Sequence, residues 1–185
     1  MINLKTALLL TSVCTLAACS PSTPYETSTS SAPDSTSIER DILTASGDVL
    51  GTLSLVDLGE EGTQVTVSIS GLEGAGTHAM HFHEFGLCEA PGFTSSGGHK
   101  NPMNMDHGKM SPNGPHAGDM MNIEVGSDGT GSLTVINEFV SINGDHGLPA
   151  LLDDDGTALI IHEKADDYIT QPTGAAGGRI GCTVI

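Results

Sequence analysis

An all-β domain, an antiparallel sandwich or barrel of about eight short strands, is what this sequence predicts. Three observations carry that expectation. Apolar and polar residues alternate with a period of two in short runs, most clearly in Gln64-Val65-Thr66-Val67-Ser68-Ile69-Ser70. The runs are separated by glycine-rich, acidic turns, such as Asp57-Leu58-Gly59-Glu60-Glu61-Gly62. No stretch shows the longer period of an amphipathic helix.

Taken in order, the chain begins with an address. Residues 1–18 read as an export signal: Lys5 supplies a positive charge, and an apolar stretch runs from Thr6 to Ala18, too short to span a bilayer comfortably. It ends Leu16-Ala17-Ala18-Cys19, similar to the lipobox of bacterial lipoproteins, in which the cysteine is lipidated and becomes the first mature residue. The alternative is an ordinary signal cut near Ala18, leaving Cys19 a free thiol. Residues 19–37 are rich in Ser, Thr and Pro and read as a flexible tether. The expected domain is 38–185. Its strand runs begin at Ile38 and continue through Leu53–Val56, Gln64–Ser70, Ala79–Phe85, Met121–Val125, Ser132–Ile136, Leu159–His162 and Ile180–Val184. Asp153-Asp154-Asp155-Gly156 reads as a solvated turn, since the remaining positions of a calcium loop are missing.

Composition narrows the chemistry. Six Lys+Arg against 23 Asp+Glu give a net charge of −17. That excludes binding to nucleic acid or anionic lipid by bulk electrostatics, which needs clustered cations. Eight His outnumber the cationic residues, and histidine is the commonest metal ligand. Residues 86–118 hold no credible strand or helix and are rich in Gly, Pro, Asn, Met and His. A loop this long in a compact domain needs something to hold it down. Its contents offer Cys88 for a disulfide and His99, His107, His116 and the nearby Asp119 for a metal.

In a strand, His81 and His83 share one face while Phe82 points to the other. His78 falls an odd number of residues from both, so we expect it to be structural. His162 closes the apolar run Ala158-Leu159-Ile160-Ile161, where a buried strand meets a loop. Imidazoles with one carboxylate filling four tetrahedral positions would make a closed structural zinc site.

These residues carry a family resemblance. The motifs are His81-Phe82-His83-Glu84-Phe85-Gly86, Gly98-His99 with Asn101-Pro102, His107-Gly108, His116-Ala117-Gly118-Asp119, Gly144-Asp145-His146, His162-Glu163-Lys164-Ala165-Asp166-Asp167, and Thr173-Gly174 through Gly177-Gly178-Arg179 to Cys182. In order and internal spacing they resemble copper/zinc superoxide dismutase, over the whole of 38–185. The resemblance implies a Greek-key barrel with long metal-binding and active-site loops. It implies copper held by His81, His83, His99 and His162, and zinc held by His99, His107, His116 and Asp119, with His99 shared and catalytic. Cys88 and Cys182 would form a disulfide. Arg179 would be the active-site arginine and Thr173 its partner in the channel wall. Asp166 would join His81 to His107 behind the metals. The implied substrate is superoxide, with export to the periplasm and membrane contact only through lipid on Cys19. No interface signature sets monomer against homodimer.

The chain departs from the family in three places. Lys100 follows the bridging His99, where the family commonly has an aromatic residue. The stretch from Ala165 to Gly178 contains no lysine and is shorter than the eukaryotic electrostatic loop, so steering of an anion would rest on Lys100, Lys109, Lys164 and Arg179. The run Met103, Met105, Met110, Met120, Met121 is not a family ligand set; loop packing is the expectation for it, ahead of an auxiliary soft copper site. Two other functions stand beside the enzyme. A periplasmic copper-binding or delivery protein would need neither Arg179 nor a complete zinc set. A catalytically dead adhesion or scaffold sandwich would not need the ligands.

Overall fold

The computed structural model describes residues 36–185. The expected export signal (1–18), the Leu16–Cys19 lipobox and nearly all of the 19–37 tether lie outside the described residues. The described residues form an all-β domain with nine strands: β1 (Ser37–Leu43), β2 (Val49–Asp57), β3 (Thr63–Ser70), β4 (Gly76–His78), β5 (Met80–His83), β6 (Ile123–Val125), β7 (Thr130–Asn137), β8 (Ala158–His162) and β9 (Arg179–Val184). Seven form one curled antiparallel sheet in the order β5-β8-β9-β1-β2-β3-β7, and β4 pairs with β6 in a second, two-stranded sheet.

Alternation in the sequence becomes burial in the fold. Val65, Val67 and Ile69 of β3 are buried, as are Leu53 and Leu55 of β2, while the residues between them are partly or fully exposed. With Ile42, Met80, Phe82, Ile123, Leu159 and Ile161 they make the main core. β8 is buried along its whole length because both of its faces are covered. Leu159 and Ile161 enter the main core, whereas Ala158 and Ile160 pack with Phe93 and Cys182 beneath the long loop.

Two expected boundaries move. The 79–85 run is a strand only over Met80–His83; Ala79 separates it from β4, which leaves for the other sheet. The 86–118 loop is not wholly irregular: Thr94–Ser96 forms a turn of 3₁₀ helix, and two short passes of the loop lie alongside β5. The Cys88–Cys182 disulfide is formed, with Cα atoms 5.8 Å apart, and ties this loop to β9 across 94 residues. In a chain-entropy account such a closure contributes about 4–5 kcal/mol.

Candidate metal centre

β5 puts Met80 and Phe82 into the core and so turns His81 and His83 outward together, beneath the loops. The loop is then laid against β5 twice. Glu84 N–H donates to Gly98 O at 2.9 Å and Lys100 N–H to Phe82 O at 2.8 Å, so His99 sits beside His83. Phe82 N–H donates to Gly118 O at 2.9 Å, and Gly118 N–H to Lys100 O at 2.9 Å, which brings Asp119 beside His81. Only glycine fits at 118, where a Cβ would collide with the Phe82 carbonyl oxygen. His162 shares the face of Ile160, which pairs directly with His81. A bulge at Ile161/His162 shifts β9 so that Arg179 lies opposite His162.

The outcome is two sets of four side chains that share one member. His81, His83, His99 and His162 offer ring nitrogens to one point; His99, His107, His116 and Asp119 converge on another. The six histidines are buried. In the second set the Nδ1 atoms of His99, His107 and His116 stand 2.9, 3.1 and 3.4 Å from Asp119 Oδ1. Ligand atoms held ~2 Å from a tetrahedral ion would lie ~3.3 Å from one another, so the spacing is that of a coordination shell. Asp119 Oδ2 meanwhile accepts the backbone N–H groups of Gly108 (2.8 Å) and His116 (3.0 Å), which aims Oδ1 inward.

The first set passes a stricter test. The buried ring nitrogens left without a hydrogen-bond partner include His81 Nδ1, His83 Nε2, His99 Nε2 and both ring nitrogens of His162. A buried polar atom without a partner is costly and needs a reason. Here one unpaired nitrogen from each of four imidazoles faces the same point, as a metal would require.

The partners outside the sets select the tautomers. His83 Nδ1 lies 3.1 Å from Gly97 O, which can only accept, so Nδ1 carries the proton and Nε2 keeps its lone pair. Asp166 does this for two rings at once, its Oδ2 facing His81 Nε2 at 2.9 Å and its Oδ1 facing His107 Nε2 at 3.0 Å. Both lone pairs therefore remain on Nδ1, one in each set. Asp166 is held in turn by Asn122, whose amide exchanges two 2.9 Å hydrogen bonds with the Asp166 backbone.

The electrostatics set His107 apart from His83, His99 and His162. Burial, with neighbouring rings adding to it, pushes His83 down to about 2 and His162 to about 3. Burial also pushes His99 down to about 4, against the pull of Asp119. These imidazoles stay neutral and able to ligate. Burial would lower His107 as well, but Asp119 and Asp166 on either side hold it up to about 9. Both carboxyls resist the raising effect of burial through their histidine hydrogen bonds and stay well below the usual range. A field that retains a proton at His107 would equally favour a divalent cation there.

Arg179 is half-buried, and burial lowers its pKa. Its Nη1 donates to Phe93 O (2.7 Å) and Ser96 Oγ (2.8 Å), and its Nη2 to Gly97 O (2.7 Å), the carbonyl that also orients His83. Thr173 is exposed in the loop that precedes it. His78 lies outside both sets, with Nδ1 2.9 Å from His162 O, and His146 is in the exposed turn Asp145–Gly147. Two of the expected steering cations are occupied elsewhere. Lys100 is buried and bound to Asp153 at 2.6 Å, and Lys109 lies over the Tyr168 ring. Asp153 is thus an ion-pair partner as well as part of a turn. Loop packing fails for most of the methionines, since only Met120 joins the core and Met103, Met105, Met110 and Met121 are exposed.

Asn122, Gln171, Ser96 and Phe93 support the site without having been singled out in the sequence. Amides, hydroxyls and carbonyls carry no spacing rule of their own.

Comparisons with known proteins point to one family. A family model described as copper/zinc superoxide dismutase matches residues 49–185. The chain is 40% identical over 136 residues to a superoxide dismutase-like protein, YojM, of Bacillus subtilis, covering 74% of this chain and 69% of that one. It is 39% identical over 146 residues to a copper-zinc superoxide dismutase of Aquifex aeolicus, covering 78% and 84%. A crystal structure of a SOD-like protein from Bacillus subtilis superimposes with a TM-score of 0.74 at 37% identity, over 79% of this chain and 96% of that one.

Proposed function

The chain belongs to the copper/zinc superoxide dismutase family, and from that premise we propose that it converts superoxide to O₂ and H₂O₂. The observation that carries the proposal is the set of unpaired nitrogens of His81, His83, His99 and His162, next to a second set completed by Asp119. Imidazole-only coordination suits copper, and a set of three nitrogens and one carboxylate oxygen suits zinc. Copper, when bound, supplies a one-electron carrier that accepts an electron from one superoxide and returns it to the next, while zinc supplies a fixed charge.

The chain's own residues do the rest. His99 presents Nε2 to the first set and Nδ1 to the second, so a proton held at Nε2 lies where a peroxide oxygen would need it. Asp119 beside Nδ1 keeps that ring in place. Arg179 gathers the anion. Its guanidinium is fixed by three acceptors on the 93–97 segment, so little side-chain entropy remains to be lost when it donates to superoxide. Gly97 O aligns Arg179 with His83. Asp166 holds one ring of each set in the ligating tautomer.

The purified chain carrying one copper and one zinc should consume superoxide catalytically and be inhibited by cyanide. No catalysis with both metals verified would overturn the enzyme reading. His162→Ala should lose copper and activity while keeping zinc, because His162 belongs to the first set alone. Export and lipidation at Cys19 belong to the same proposal, motivated by Leu16-Ala17-Ala18-Cys19. Mass spectrometry of the mature amino terminus should find a lipid-modified cysteine; an unmodified terminus rejects the anchor.

A further inference from the structure

Gln171 lies in the loop between β8 and β9, outside both ligand sets and exposed to solvent, yet its side-chain amide is fully engaged. Its Oε1 accepts the backbone N–H of His107 at 2.8 Å. Its Nε2 donates to the backbone C=O of the same residue at 2.9 Å and to Ile169 O at 3.1 Å. One amide thus closes on both polar groups of a single buried residue, His107. It acts from a different loop and across 64 positions of sequence.

The grip matters because of where His107 stands. The imidazole must present Nδ1 toward Asp119 while Nε2 meets Asp166, so its backbone can neither rotate nor slide without losing one of them. Its neighbour Gly108, with φ +92 and no side chain to pack, holds the segment only through its backbone, whose N–H donates to Asp119 Oδ2 at 2.8 Å. The loop around Gln171 touches the same segment again. Met110 N–H donates to Tyr168 O at 3.3 Å, and Gly174 sits where a Cβ would collide with the Asp166 carboxylate and the His107 ring. The copper-side histidines His83 and His162 make no hydrogen bond with Gln171.

We propose that Gln171 is a positioning residue for zinc retention, acting on His107 alone among the ligands. This rests on the zinc assignment above. The loop that leads through Thr173 to Arg179 thereby holds a zinc ligand directly, besides the link through Asp166. Partners behind a ligand are typically worth 10–100-fold in metal affinity, and an exposed clamp belongs at the lower end.

The test uses the fully metallated protein and measures transfer of each metal to a chelator. In Gln171→Ala, zinc should leave about tenfold faster, while copper leaves at the wild-type rate within about twofold. Gln171→Asn, one methylene short, cannot span both backbone groups and should behave like the alanine variant. Hydrogen exchange at the His107 amide should accelerate in both variants. Zinc release at the wild-type rate, or equal acceleration of both metals through general loosening of the loop, would overturn the proposal. A wild-type protein that binds no zinc would instead sink the functional reading and this one with it, which separates the two failures.

Discussion

Replacing Asp166 with asparagine should damage the copper site more than the zinc site, although the carboxylate serves both. Three N–H groups converge on Asp166. His107 Nε2 and the Tyr168 backbone meet Oδ1 at 3.0 and 2.6 Å, whereas His81 Nε2 alone meets Oδ2 at 2.9 Å. An asparagine offers a single carbonyl oxygen. It will face the side with two donors, which turns its NH₂ toward His81. There, either two N–H groups oppose one another in a buried space, or His81 moves its proton to Nδ1 and loses the lone pair that faces the four-histidine point. An unsatisfied buried donor costs about 1–3 kcal/mol. That corresponds to roughly 5- to 160-fold in affinity, which brackets the 10–100-fold typical of such partners. Copper affinity in Asp166→Asn should therefore fall 10–100-fold, with a smaller loss for zinc from the missing charge. Competition against a chelator measures both constants, and far-ultraviolet circular dichroism confirms that the sheet is intact. Loss of zinc with copper affinity unchanged would refute the donor count.

Three further outcomes follow from the same geometry. Asp153→Asn should destabilise the protein by about 1–3 kcal/mol by leaving the buried Lys100 ammonium without its charged partner, whereas Lys100→Met should be close to neutral; equal losses in urea melts would contradict this. In the metal-free protein His83, His99 and His162 sit at about 2, about 4 and about 3, below their ordinary value near 6.5, so the unfolded chain binds protons first. Stability is thus lost as pH falls from 6.5 toward 4, while His107, raised to about 9, adds an opposite slope only between 6.5 and 9; a urea midpoint constant from pH 7 to 4.5 would count against the burial account. Under the proposed activity, with Lys100 and Lys109 occupied, attraction of superoxide would rest on Arg179 and Lys164, so the turnover rate should decline with ionic strength and Lys164→Glu should lower the low-salt rate severalfold; a flat or rising salt profile would mean that the acidic surface dominates.

What could be read from the sequence was whatever obeys a local period or a fixed spacing. Val65, Val67 and Ile69 announce their strand because one face is buried and the other is not. His81 and His83 announce a shared face because side chains two apart in a strand point the same way, although both faces of β5 are buried. The order of histidine motifs from His81 to His162 carried the two groupings that the structure brings together, and the Cys88–Cys182 pairing came with the resemblance. The break at Ala79 was hidden because alanine interrupts no apolar pattern; what ends β4 there is a change of sheet. The Lys100–Asp153 pair spans 53 residues, and the Gln171–His107 clamp spans 64. Nothing local marks either one, because a lysine or an amide is equally at home in solvent. The exposed methionines failed the packing expectation because a loop held by its disulfide, its passes along β5 and its ligands needs little apolar contact of its own.

The proposed function requires two different metals in adjoining sites joined by His99. Crystals of the metal-loaded protein, with anomalous maps collected on either side of the copper and zinc absorption edges, test it most directly. A copper peak should stand among His81, His83, His99 and His162 and a zinc peak among His99, His107, His116 and Asp119, with the His99 ring between them. A single peak, the same metal at both positions, or a His99 ring that faces only one of them would contradict it.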